Sequence, residues 1–176
     1  MTEKQQKTFS VRDMTKRDLP TVLKWRNDPQ IRSVMFSKHI ISEVEHELWF
    51  DKVKKCSNNR VLIFLSDSQR MGFVQFKWSC EEELYRWGFY IAPDAPKGTG
   101  KVLGQTAINF FYRELGCDIL YACILRSNEV SINFHKRLGF TETNDRKQIF
   151  EMVTVSNFIQ VALTRHAWEQ WQGEIC

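Results

Sequence analysis

The sequence predicts one α/β domain, with a mixed, mostly antiparallel sheet of about six or seven strands flanked by helices. Two patterns carry that expectation. Arg60 to Ser66 and Met71 to Trp78 are β-branched and aromatic runs around Asp67-Ser68-Gln69-Arg70, which reads as an antiparallel hairpin. Further on, the apolar run Trp87 to Ala92 leads into the glycine turn Lys97-Gly98-Thr99-Gly100-Lys101. A helically spaced set follows, from Val102 and Leu103 through Ala107 and Ile108 to Leu115, and then a second apolar run, Ile119 to Leu125. Strand, helix and strand in that order give one parallel pair joined by a right-handed crossover. At 176 residues the chain is the size of a single domain, 1–176, with one closed core.

The remaining elements follow in order. Thr8 to Met14 reads as the first strand and Arg17 to Asn27 as a helix with Asp18 and Pro20 in its opening turn. The next stretch, Trp25-Arg26-Asn27-Asp28-Pro29-Gln30-Ile31-Arg32 and then Met35 to Ile41, mixes cations with large apolar groups and has no clean period. Two readings stand for it. In one it is a Pro-terminated turn whose arginines make surface salt bridges; in the other it is a substrate wall, with arginine forks for phosphate oxygens and Met35 for a flat base. Ser42 with Glu45 forms a capping box that opens a helix to about Lys55, with Val44, Leu48 and Val53 toward the core and His46 and Trp49 on a neighbouring face. Glu81-Glu82-Glu83 reads as a solvated turn. Asn128 is placed to cap a short helix through Phe134 and Leu138 that stops at Gly139-Phe140. Thr141 to Gln148 is polar, Phe150 to Leu163 supplies a closing strand, and Arg165 to Gly173 a last helix whose Trp168 and Trp171 pack on the sheet.

Composition narrows the partners. The chain is 43% hydrophobic, has no apolar run of membrane-spanning length, and begins with a polar segment that lacks a signal-peptide centre, so the expected compartment is cytoplasmic. Five cysteines without a CxxC pair, and four scattered histidines, predict reduced thiols and no metal site. A net charge of +4 suits anionic small molecules and falls short of a nucleic-acid-binding face. The oligomeric state stays open, a homodimer included.

The glycine turn can hold a phosphate, because Gly98 and Gly100 let several N–H groups converge at a helix N-terminus carrying about half a positive charge. With the strand before it, the helix and strand after it, and the Asn128 helix ending in Leu138-Gly139-Phe140, the stretch resembles the core of the GNAT superfamily of acetyl-CoA-dependent N-acetyltransferases. The resemblance implies the GNAT fold, with coenzyme A pyrophosphate on Lys97, Gly98, Thr99, Gly100 and Lys101. It puts the pantetheine arm along Ile91 and Ala92, and Asn128, Ser131 and Phe134 beside the coenzyme. Ala95 departs from the family pattern, which carries Gln or Arg there. The run WRNDPQIR, then MFSKHIIS and an E-x-E-H helix start, is similar to the GNAT branch that acetylates the 4-amino group of a UDP-linked amino-dideoxy sugar in pseudaminic-acid synthesis, which supplies flagellin glycosylation. That likeness places Arg26, Met35 and His46 at the nucleotide and phosphates, with Lys77, Trp78 and Trp87 as sugar contacts. The WRN turn is shared with GNAT enzymes that acetylate ribosomal protein N-termini, which leaves that activity as an alternative. A non-catalytic acyl-CoA-binding module is another.

Acyl transfer to an amine needs a base, donors for the oxyanion, and a proton for the departing thiolate. Tyr90 is the first candidate base, directly or through water, and Asp94 the second. Tyr90 would need its pKa lowered from near 10. His135, standing where many GNAT enzymes carry a tyrosine four residues before the glycine of LGF, is the candidate acid; the alternative is that it only covers the coenzyme. No cysteine is assigned as a nucleophile.

Overall fold

The structure is a computed structural model that describes residues 7–143 and 157–173. Its frame is one seven-stranded sheet in the order β1-β2-β3-β4-β5-β7-β6. The strands are β1 (Phe9–Asp13), β2 (Arg60–Ser66), β3 (Gln69–Ser79), β4 (Leu84–Ile91), β5 (Ile119–Leu125), β6 (Thr141–Glu142) and β7 (Phe158–Thr164). All neighbours run antiparallel except β4 and β5. Asp67 and Ser68 both have positive φ, the left-handed pair that a two-residue hairpin turn demands. Residues 144–156, where part of the expected polar loop and closing strand falls, lie outside the described residues, as does Cys176.

Alternation along the strands sends side chains into two cores. On one face Val61, Ile63 and Phe73 pack with Leu19, Val22 and Trp25 of α1 (Leu19–Asn27) and with Phe50 and Val53 of α3 (Glu43–Lys55). On the other, Leu62, Phe64, Phe76 and Trp87 pack against α4 (Thr99–Phe110) and the π-helical turn Phe111–Leu115, with α5 (Glu129–Arg137) and α6 (Arg165–Gly173) beyond. The short helix α2 (Pro29–Ser33) links α1 to the long connection before α3. Asp18 is fully buried and ties the start of α1 to β1 and β3. It accepts two hydrogen bonds from Arg12 at 2.8 Å, one from Arg70 at 2.8 Å and two from Thr15 at 2.9 Å. Burial alone would raise its pKa, but these donors hold the carboxyl well below the usual carboxylate range.

Two sequence expectations are corrected here. Helix α3 does begin with the Ser42–Glu45 capping box, yet Val44 and Leu48 are about two-thirds exposed, while His46, Phe50 and Val53 are buried. The buried stripe runs i, i+4, i+7 from the histidine, a position that residue type alone argues against. Glu82 is not a solvated turn residue: it is buried and grips Arg86 with two hydrogen bonds of 2.5 and 2.8 Å.

Candidate functional site

The parallel pair is formed only at Tyr85–Leu120 and Arg86–Tyr121, after which β4 and β5 splay apart. The gap opens a cleft of about 1030 Å³ that reaches both faces of the sheet. On one face its walls are α3 and the connection from α2 to α3; on the other, α5 and the start of α4. Residues from β3, β4 and β5 make the floor.

The α4–α5 side is built from the glycine turn and an N-capped helix. Gly98 has φ +90° and opens α4 with no side-chain cap; the Thr99 and Lys101 N–H groups bond the Pro96 and Gly98 carbonyls, which leaves the Gly100 N–H toward the rim for solvent or a ligand. Space beyond Gly98 and Gly100 is open, and Gly100 stands at the cleft rim. Asn128 accepts from the Ser131 N–H at 3.1 Å, which fixes the start of α5. Asn128, Ser131, Phe134 and His135 all face the cleft, as does Ile91. Ala92 does not: it is buried in the α1–α3 core, and its N–H bonds to the Met71 carbonyl. Lys97 and Lys101 are exposed near the turn, outside the cleft lining, and Thr99 bonds back to the Pro96 carbonyl.

The opposite side is cationic. Arg26 lies beside His46 and Tyr90, and its Nη2 donates to the Ser37 carbonyl at 2.7 Å, while Nη1 is buried without a protein partner. Burial and the charge of Arg32 lower its pKa, against a raising influence from Tyr90. Arg26 and Arg32 are therefore not surface salt-bridge partners; both brace the connection before α3 by bonding its carbonyls, and Asn27 clasps Ile41 through its N–H and its C=O. His46 is stacked on Trp49 with ring centroids 5.1 Å apart, and burial, followed by the Arg26 charge, lowers its pKa. Met35 lines the same wall. On the floor, Lys77 of β3 stands opposite Arg86 of β4. Among the described lining residues the one carboxylate is Glu45, already held by Ser42 and His39.

Five expected roles do not fit their surroundings. Trp78 points to the face opposite Lys77, where it packs on Tyr85 with centroids 4.8 Å apart, away from any sugar. Trp87 borders the cleft from the α4–α5 side, stacked on Phe140 at 5.8 Å, and is not a contact on the cationic side. Tyr90 is stacked on Phe73 at 5.0 Å, and burial pushes its phenol far above the ordinary value, opposite to what a base needs. His135 is buried and pushed down to about 4 by desolvation, only partly offset by its bond to the Ser131 carbonyl, so it holds no spare proton at neutral pH. Asp94 is exposed and lies outside the cleft lining.

Sequence reasoning passed over Arg86, Gln75, Gly88 and Cys123, all of which line the cleft. A period-2 count from Lys77 reaches Gln75, and cross-strand pairing then reaches Arg86 and Gly88. Cys123 needed the β4–β5 register, which the sequence does not show. Burial raises its thiol against the opposing influence of Arg86, so it is not an activated nucleophile. Cys56, Cys80, Cys117 and Cys123 are free thiols. Among the described residues no group of three or more His, Cys, Asp or Glu could hold a metal, and no helix is long and apolar enough to cross a membrane.

A splayed parallel pair, a glycine turn at a helix start and a capped helix beside it define an acyl-coenzyme A transferase site, and comparison with known proteins agrees. The acetyltransferase (GNAT) domain profile matches residues 9–141, so the chain belongs to the GNAT family, N-acetyltransferases that use acetyl-CoA as co-substrate. It is similar to Acetyltransferase PseH of Campylobacter jejuni, 28% identical over 142 residues that cover 78% of this chain and 86% of that protein. The structure of C. jejuni PseH with acetyl coenzyme A aligns at TM-score 0.67 and 19% identity, covering 90% of this chain and 99% of that one. Spermidine N-acetyltransferase from Vibrio cholerae, with CoA and spermine, aligns at TM-score 0.78 and 17% identity, covering 92% and 98%. At such identities the structural likeness is one of fold, and the acceptor has to be argued from the cleft.

Proposed function

We propose that this enzyme moves acetyl from acetyl-CoA to the 4-amino group of a UDP-linked amino-dideoxy sugar, the acetylation step of pseudaminic-acid synthesis for flagellin glycosylation, by direct attack in a ternary complex. The observation that carries the reading is the charge of the acceptor side. Arg26 and Lys77 line it beside Arg86, whose charge Glu82 already pairs; Arg26 keeps a buried N–H group unmatched, and the one described lining carboxylate is already engaged. A polycation such as spermidine meets repulsion there, whereas a diphosphate supplies the missing acceptors.

Arg26, Met35 and His46 receive the nucleotide and phosphates, and Lys77 with Arg86 bounds the sugar. The same cations disfavour a protonated acceptor amine, so it arrives closer to its nucleophilic form without a carboxylate base. The glycine turn Lys97 to Lys101, with the Gly98 and Gly100 amides and the start of α4, takes the coenzyme pyrophosphate. Asn128, whose oxygen is used internally, offers its amide nitrogen to the coenzyme arm. Unpaired β4 backbone near Tyr90 and Ile91 faces the thioester carbonyl.

The WRNDP run gives little support to protein N-termini as acceptors. Trp25 is core, Asn27 clasps Ile41, and Asp28 caps α2 by accepting from Gln30 and Ile31. These are architectural duties that serve any acceptor, and of the run's first four residues Arg26 alone lines the cleft. Thiol release from acetyl-CoA, measured separately with the UDP-4-amino sugar, spermidine and an N-terminal peptide, tests the reading. Turnover is expected with the first; thiol release at background with it would overturn the assignment.

A further inference from the structure

Two buried nitrogens on the α4–α5 side of the cleft have no partner among the described residues: Trp87 Nε1 and His135 Nε2. Their residues are 5% and 3% exposed, both line the cleft, and their rings meet edge to face with centroids 5.5 Å apart. The hydrogen-bonding sense of each nitrogen is fixed. His135 Nδ1 lies 2.7 Å from the Ser131 carbonyl oxygen, which can only accept, so the ring hydrogen sits on Nδ1. The imidazole is surrounded by Trp87, Phe89, Phe134 and Phe140, with no counter-ion among these contacts, and it is neutral. His135 Nε2 is then a bare acceptor, and the indole Nε1–H is a donor that cannot accept. A buried donor and a buried acceptor left unmet are both costly, and two of opposite sense on rings in contact can be met by one small group that accepts from the first and donates to the second.

We propose that Trp87 and His135 hold one ordered water molecule between Nε1–H and Nε2, and that this water, rather than His135, delivers the proton to the coenzyme A thiolate. The relay rests on the reading above that acetyl-CoA lies along this side of the cleft. In the transfer, the acceptor nitrogen forms the new C–N bond, and the C–S bond breaks with its electron pair on sulfur. The proton shed by nitrogen ends on sulfur. The water gives one proton to the thiolate and takes one from the nitrogen, so it ends unchanged, and no outside acid is consumed. Trp87 and His135 are positioning residues in this step; they touch the water and not the reacting atoms.

A high-resolution crystal structure of the substrate-free protein tests the site without reference to any acceptor. A solvent peak within roughly 2.7–3.2 Å of both nitrogens is expected. No peak, or one bonded to a single nitrogen, overturns the proposal. The relay is tested by His135→Gln, which keeps an acceptor, against His135→Phe, which keeps only an aromatic shape. With any amine the enzyme turns over, His135→Phe is expected to lower kcat about 100-fold with little change in KM for acetyl-CoA, and His135→Gln to recover most of it. Equal losses in the two variants, or a loss confined to KM, overturn the relay. Should His135→Phe fail to fold, Trp87→Phe removes the donor alone and carries the same expectation. Turnover of amines other than the UDP sugar, with the water in place, would count against the proposed acceptor and leave this site standing.

Discussion

Lys77 and Arg86 face each other directly across β3 and β4, two cations on one sheet face, and of the pair Arg86 has a buried carboxylate, Glu82, gripping it from four residues away. Like charges placed opposite each other weaken a sheet unless something compensates. Glu82 is that compensation from the protein, and an anionic acceptor is the proposed one from outside.

Removing Glu82 therefore isolates a mostly buried cation. Glu82→Gln is expected to lower stability by about 3 kcal/mol, read as a drop in the urea midpoint at unchanged slope. A midpoint within error of wild type would show that the Arg86 charge is solvated and not dependent on Glu82.

The glycine turn can be tested by charge at constant backbone strain. Gly98 has φ +90° and no atom within 4 Å of the point a Cβ would occupy, so Gly98→Ala and Gly98→Asp share a backbone penalty of about 1 kcal/mol and little else. Coenzyme A affinity measured by calorimetry should fall at least about tenfold further in Gly98→Asp than in Gly98→Ala, because a carboxylate there repels pyrophosphate. Equal affinities in the two folded variants would remove the turn from the phosphate site.

Stability should depend on pH in two separable windows. His135 has its pKa depressed from an ordinary 6.5 to about 4, so the unfolded chain takes up a proton that the native state refuses between those values. Its contribution is complete above pH 6.5 and is lost as pH falls toward 4, about 3 kcal/mol across the window. Asp18 also has a depressed pKa, so its contribution is complete above the unfolded carboxylate value near 3.9 and is lost only below it. Unfolding free energies between pH 7 and 4 should show this slope in wild type, with buried His46 adding to it, and a shallower slope in His135→Phe. A slope unchanged by the substitution would assign it to another group.

The fold was readable because its signals are local. The hairpin, the capping box at Ser42, the strand–turn–helix at Gly98 and the Asn128 cap each depend on residues within a few positions of one another. The proposed donor side is built of the same kind of local signal, one turn and one helix start. Acid–base roles are not legible in this way, because they depend on what surrounds a side chain: Tyr90 and His135 have suitable chemistry as residue types and unfavourable burial in place. Cys123 and Arg86 were missed for a related reason, since strand register brings them to the cleft, and a turn's fold-back sets Glu82 on Arg86 behind it. Trp78 was misplaced by one step of the strand's alternation, which separates it from Lys77 by the thickness of the sheet.

The central claim is that Arg26 and its neighbours select an acceptor amine by the diphosphate attached to it. The most direct measurement is kcat/KM for the 4-amino sugar with and without its UDP group, in wild type and in Arg26→Gln. Wild type is expected to prefer the UDP-linked amine by at least about 100-fold, and Arg26→Gln to lose most of that preference while the free sugar and the KM for acetyl-CoA stay near their wild-type values. Equal kcat/KM for the two sugars in wild type, or a preference left intact by Arg26→Gln, would contradict it.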